Sequence, residues 1–169
     1  KTDKKILVIV PTTSLVSQMF SDFKEYSSGN GWSVDKNVHT IMGGRDKETD
    51  KRVVISTWQS IFRQPKEYFD QFGAVFGDEC HLFKAKSLTS IMSNLRDCDY
   101  RIGTTGTLDG SQTHKLVIEG LFGPTKKVTT TKKLMDKNLL TNLKIDSILL
   151  DYDTTEKQLV KKMKYQDEI

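Results

Sequence analysis

Along this chain, hydrophobic residues alternate between short solid runs and sets spaced at a helical period. Ile6-Leu7-Val8-Ile9-Val10, opened by Lys5, is a continuous apolar run. That is the pattern of a strand buried on both faces of a parallel sheet. Pro11 ends it, because proline cannot donate to a strand ladder. Thr12, Thr13 and Ser14 are competent helix caps, and Leu15, Val16, Met19, Phe20 and Phe23 then fall on one helical face. The opening therefore predicts a strand, a capped turn and a helix to about Tyr26.

The same alternation continues. Ser27-Ser28-Gly29-Asn30-Gly31 is a loop by its turn chemistry. A second strand is expected over Val38 to Met42, followed by Gly43-Gly44-Arg45, and a third over Arg52 to Thr57, leading into a helical piece from Trp58 to Arg63. Pro65 breaks that helix, and Lys66 to Phe72 reads as another short one. Ala74-Val75-Phe76 is an apolar run too brief for a helix. Leu88, Ile91, Met92 and Leu95 repeat at helical spacing, predicting a helix over Ser87 to Arg96. Tyr100 to Gly103 is a short strand, and Thr113 to Leu121 a helix stopped by Gly123-Pro124. A later strand is expected from Leu143 to about Tyr152, with a phase change that requires a bulge or a break, and then a polar helix or tail from Thr154. Strands alternating with helices imply an α/β fold with a mostly parallel sheet covered on both faces. The expected division is one α/β domain to Phe122 and an extension from 123 to 169.

Candidate chemistry sits where such strands end. Reactive groups in an open α/β sheet gather past the carboxyl ends of the strands. The run Ala74 to Phe76 leads through Gly77 into Asp78-Glu79-Cys80-His81. Within a strand two neighbours point to opposite faces, but at its end each can take a separate role. One carboxylate beside hydrated Mg²⁺ and another over a water is the arrangement that nucleoside triphosphate hydrolysis needs. A solvated carboxylate pair at a strand-to-loop junction fits those two residues equally well.

Composition narrows the setting. The chain has 169 residues, 36% hydrophobic and 28% charged, a globular balance for about one domain. Neither a membrane-length apolar run nor a signal peptide is present in Lys1 onward. The two cysteines, Cys80 and Cys98, have no disulfide or zinc spacing, so an intracellular, cytoplasmic setting is expected. Six lysines between Lys126 and Lys144 stand against Asp136 alone, a local +5 that exceeds the net charge of +4 and leaves the rest of the chain near −1. That zone suits either a polyanionic partner or a plain solvated face.

The strand ends form an ordered set: Pro11 to Gln18, Gly43-Gly44, Ser56-Thr57-Trp58-Gln59-Ser60, Asp78 to His81 and Thr105-Gly106-Thr107. Over roughly Lys5 to Leu108 this set resembles the first RecA-like motor domain of a superfamily 2 helicase. Pro11 to Gln18 is similar to motif Ia, Thr57 stands at the threonine of motif Ic, and Asp78 to His81 matches the Asp-Glu-x-His form of motif II. Thr105-Gly106-Thr107 stands in the place of motif III, departing from its usual alanine at Gly106. More narrowly, Val54 to Ser60, Gln64 to Glu67 and Asp78 to His81 resemble DNA branch-migration helicases of phage recombination.

The resemblance implies ATP and Mg²⁺ as cofactors. Asp78 would hold the metal, Glu79 would position the hydrolytic water, and His81 would face the γ-phosphate side. Thr105 and Thr107 would couple nucleotide state to the track. Thr12, Thr13, Gly44, Arg45 and Thr57 would touch the backbone of branched or single-stranded DNA, independently of sequence. If the gene is phage-borne, the host cytoplasm would be the setting. No Gly-Lys dipeptide occurs in the 169 residues, so the Gly-x-x-x-x-Gly-Lys-Ser/Thr phosphate loop is lacking and the chain is expected to be an incomplete motor, a fragment beginning near motif Ia. A motor subunit of a restriction enzyme and a non-catalytic nucleic-acid-binding module are the alternatives. A metal-dependent hydrolase is a further one, requiring ligands beyond Asp78 and Glu79, with His39 and His114 the other histidines.

Overall fold

The computed structural model describes residues 3–44, 46–108, 112–141 and 146–148. Five strands form one sheet: β1 Lys5–Val10, β2 Val38–Ile41, β3 Val53–Thr57, β4 Phe72–Gly77 and β5 Tyr100–Gly103. Their spatial order is β2-β3-β1-β4-β5, and every pairing is parallel. The expected α/β architecture is therefore the one observed. β1 lies in the middle, and the chain leaves it toward β2 and β3 on one side before crossing to β4 and β5 on the other. A reversal of this kind opens a crevice at the carboxyl ends of the central strands.

Period-two alternation sorts the sheet's side chains into two cores. Leu7 and Ile9 of β1, Val54 of β3 and Val75 of β4 join one cluster with Ile61, Phe69, Phe83, Ile91 and Met92. These come from α3 Trp58–Ile61, α4 Lys66–Phe69, the 3₁₀ segment Cys80–Lys84 and α5 Lys86–Asn94. Val8 and Val10, with Val53 and Ile55, face the opposite side and pack on Val16, Met19, Phe20 and Phe23 of α1 Thr13–Ser27. The second face is only part-covered among the described residues. Ile6, Val8, Ala74, Phe76 and Ile102 line a groove of about 840 Å³ beside Phe23 and Trp32, and Ile102 is 55% exposed.

The strand and helix expectations hold within a residue or two, with four differences. β4 begins at Phe72, because the preceding helix stops at Phe69 and the fully buried Phe72 pairs with Lys5. α2 Val34–Asn37 and α7 Thr131–Asp136 are short helices with too few apolar positions to show a period. The 3₁₀ segment after Glu79 was likewise not expected. The strand predicted from Leu143 falls mainly outside the described residues, and Asp146 to Ile148 carry no regular structure.

The chain divides into two compact units, Lys1–Thr125 and Lys126–Ile169. The first holds the sheet and α6 Gln112–Phe122. In the second, α7 is capped by Thr130 Oγ1, which accepts from Lys133 N at 3.2 Å. Among the described residues no helix is long and apolar enough to cross a membrane.

Close packing at the ends of β4 and β5 has no room for a side chain. A Cβ at Gly103 would sit 2.9 Å from Cys80 Cβ and 3.1 Å from the Phe122 ring. Gly103→Ala is therefore expected to destabilise the sheet unit by about 1–3 kcal/mol. The midpoint of urea unfolding, compared with the parent chain, checks this.

Candidate active site

The site is built by carrying the β4–β5 register past the strands. Gly77 pairs with Gly103, and one step further Asp78 stands beside Thr104 and Glu79 beside Thr105. The backbone continues the ladder: Thr104 N donates to Gly77 O at 2.9 Å, and Cys80 N donates to Thr104 O at 2.9 Å. On its other side Asp78 N donates to Ile9 O at 3.0 Å, tying the turn to β1. Lateral neighbours in a parallel pair share a face, so each carboxylate meets its own threonine. Thr104 Oγ1 lies 3.2 Å from Asp78 Oδ1, and Thr105 Oγ1 lies 3.3 Å from Glu79 Oε2.

Glu79 is where the chain leaves the strand. Its backbone adopts φ +49° and ψ +49°, a left-handed conformation that costs a non-glycine residue roughly 1–2 kcal/mol. The turn separates the two carboxylates and starts the 3₁₀ segment that carries His81 back toward them. His81 Nδ1 lies 2.8 Å from Thr105 Oγ1 and 3.1 Å from Glu79 Oε2. Thr107 N donates to Thr105 Oγ1 at 3.2 Å, so Thr107 joins through its backbone. The Thr105 hydroxyl has one proton to give. Two acceptors lie within reach of that proton, the Thr107 carbonyl at 3.0 Å and Glu79 Oε2 at 3.3 Å, so Thr105 ties its own loop and the carboxylate to one hydroxyl.

Asp78 and Glu79 are half-buried, and among the described residues no lysine or arginine is ion-paired with either. The carboxylate oxygens suit a hard cation in chemistry. No group of three or more His, Cys, Asp or Glu that could hold a metal ion occurs among the described residues. His39, one of the two other histidines weighed for a metal-dependent hydrolase, has its Nε2 2.8 Å from the Asp46 carbonyl. A cation at Asp78 would therefore share its ligation with something outside this set, such as a phosphate.

The predicted track residues lie at the ends of β1, β2 and β3. Thr12 is exposed and caps α1, its Oγ1 accepting from Leu15 N at 3.3 Å, and Thr13 is exposed beside it. Gly44 has φ +80° with open space around its Cα, a backbone only glycine adopts readily. Thr57 is only 3% exposed, and its Oγ1 is 2.9 Å from Ser60 Oγ. Trp58 packs on the core edge-to-face with Phe62, ring centroids 5.8 Å apart. Arg45 lies outside the described residues. Sequence reasoning missed Thr104; the signal was present in its place one residue after Gly103, but only the register turns that place into a neighbour of Asp78.

Cys80, between the carboxylate pair and His81, is buried. Burial first, and then the Glu79 and Asp78 charges beside it, push its thiol up from the ordinary range. A thiol raised in the folded state keeps its proton, and its contribution to stability is lost as pH climbs from the ordinary thiol range through the raised value. In a Cys98→Ser background, iodoacetamide at about pH 8 should label Cys80 at least ~10-fold more slowly in folded than in urea-unfolded protein. Equal rates would place the thiol at the surface.

Comparison with known proteins places the chain in a family. Residues 1–110 match the family described as "Type III restriction enzyme, res subunit". The ATP-dependent DNA helicase uvsW of Enterobacteria phage T4 is 41% identical over 98% of the chain. The chain spans only 33% of that relative's length. A crystal structure of T4 UvsW superposes with a TM-score of 0.64 at 38% identity, covering 99% of this chain and 32% of that one. The Hef helicase domain of Pyrococcus furiosus superposes over 73% of this chain and 28% of its own, with a TM-score of 0.60; at 19% identity it attests the fold alone. The chain belongs to the family of the type III restriction enzyme res subunit, with a RecA-like fold.

Proposed function

We propose that this chain supplies the hydrolytic half of the first motor domain of an ATP-driven DNA helicase or translocase that acts on branched DNA in recombination and repair. The observation that carries the reading is the Glu79–Thr105–His81 network, set at the strand ends of a sheet whose family is that of helicases. Asp78 would hold Mg²⁺, which when bound neutralises phosphate charge. Glu79, oriented by Thr105, accepts a hydrogen bond from the attacking water and takes its proton. His81 bridges Glu79 and Thr105, so movement of the loop from Thr105 to Thr107 shifts the water-positioning carboxylate. That link is the means by which the track and the nucleotide would sense each other. The setting we assign is the cytoplasm.

Thr12, Thr13, Gly44 and Arg45 are proposed to meet the DNA backbone. Exposed hydroxyls and the free N–H groups at the start of a helix suit phosphate oxygens. Thr57, held on Ser60, would serve the track by fixing the start of α3. Contacts of this kind read no base edge, so binding would be independent of sequence.

In the full-length protein, Glu79→Gln is expected to retain nucleotide binding and to lower ATP turnover about 10²–10⁴-fold. The amide keeps the shape and the threonine contact but cannot take a proton. Steady-state hydrolysis within a few-fold of the parent would remove Glu79 from the mechanism. The 169-residue chain alone is expected not to hydrolyse ATP, since no Gly-Lys phosphate loop lies within it. Turnover by the purified chain above that of an Asp78→Ala control would refute that.

A further inference from the structure

We propose that Thr104 is a positioning residue for the Asp78 carboxylate, separate in task from Thr105. This rests on the reading of Asp78 as the Mg²⁺ ligand. The two threonines are adjacent in sequence, yet the register hands them to different carboxylates: Thr104 Oγ1 donates to Asp78 Oδ1 at 3.2 Å, and Thr105 Oγ1 reaches Glu79 Oε2 at 3.3 Å. His81 lies on the Thr105 side, with Nδ1 2.8 Å from Thr105 Oγ1. The loop thus has one hydroxyl for the cation carboxylate and one for the water carboxylate.

Thr104 is well placed to hold rather than merely touch. Its N–H is fixed on Gly77 O and its carbonyl on Cys80 N, both at 2.9 Å. These bonds bracket Asp78 and Glu79 on the facing strand, so the hydroxyl is presented from a clamped backbone. One neutral donor at Oδ1 fixes the carboxylate's rotation and leaves most of its lone pairs for a cation. A lysine in that place would compete with the metal for charge; a hydroxyl does not. Asp78, oriented in advance, then binds the metal without first losing rotational freedom.

The test uses the full-length protein and reads Mg²⁺ directly. Binding of a fluorescent ATP analogue is followed by anisotropy as Mg²⁺ is titrated, beside the Mg²⁺ dependence of hydrolysis. Thr104→Val removes the hydroxyl with little change of shape, and because the clamp is made by backbone atoms the fold does not depend on it. The Mg²⁺ midpoint is expected to rise about 3–10-fold in Thr104→Val, as for loss of one exposed hydrogen bond to a charged group. Thr104→Ser, which restores the donor, should stay within about twofold of the parent by the same measure. A Thr104→Val midpoint like the parent's, or a Thr104→Ser midpoint displaced as far as the valine variant's, would overturn the assignment. Lower turnover in Thr104→Val with an unmoved midpoint would overturn it too, since general loosening predicts that pattern. Asp78→Ala separates the two levels of inference. If it abolishes Mg²⁺-dependent binding while Thr104→Val has no effect, only the role of Thr104 falls. If Asp78→Ala also binds like the parent, the metal reading itself falls.

Discussion

Parallel pairing of β4 with β5, carried one and two residues beyond the regular strands, is the constraint on which the site depends. Hydrogen bonds from Thr104 N to Gly77 O and from Cys80 N to Thr104 O lock the two strand ends together. With that register set, the placement of both carboxylates and both threonines follows. A shift by one residue would leave one carboxylate opposite a glycine and turn the side chains to opposite faces. The glycines at the last paired positions make the lock possible. Any side chain at Gly77 or Gly103 would collide with Phe83, Cys80 or Phe122, which cover the strand ends.

Rigidity on one side of this lock meets a strained turn on the other. Glu79 is held left-handed directly after Asp78, which is bonded to β1 through Ile9. Strain of this kind persists where the surroundings over-determine the backbone. Here the surroundings are two strands, a buried cysteine and the 3₁₀ segment. The result is that two consecutive residues each meet a threonine of the loop after β5, Asp78 at Thr104 and Glu79 at Thr105. His81 then returns to the pair because the tight 3₁₀ winding brings the chain around within two residues.

The two faces of the sheet are unequal. Helices α3 to α5 and the 3₁₀ segment pack one side, whereas α1 covers chiefly the β3 and β2 part of the other and reaches β1. Exposed Ile102 and part-buried Phe76 border the remaining groove. A parallel sheet ordinarily buries both faces; here Ile102, 55% exposed, leaves part of the second face open among the described residues. The functional edge is less affected, because its geometry comes from backbone pairing and from the better-packed face.

Much of this architecture was legible before any coordinates. The solid run Ile6 to Val10 and the run Val53 to Ile55 could bury such apolar density only in a two-sided parallel sheet, and Leu88, Ile91 and Met92 at helical spacing had to face it. Strand ends rich in Thr, Gly and adjacent carboxylates marked the edge where chemistry would gather. Short elements escaped, since α2 and the 3₁₀ segment span barely a turn and have no period to detect. Burial of Thr57, a hydroxyl residue expected to meet the track, was hidden for a related reason: its Ser60 partner is a contact of folding. The pairing of Thr104 with Asp78 and of Thr105 with Glu79 lies further still from the sequence. Each pair is 26 residues apart, and composition or spacing cannot supply a register. Hydrophobic patterning determined which segments would be strands; hydrogen bonding between β4 and β5 decided which side chains would meet, because only a folded sheet fixes one strand's phase against another.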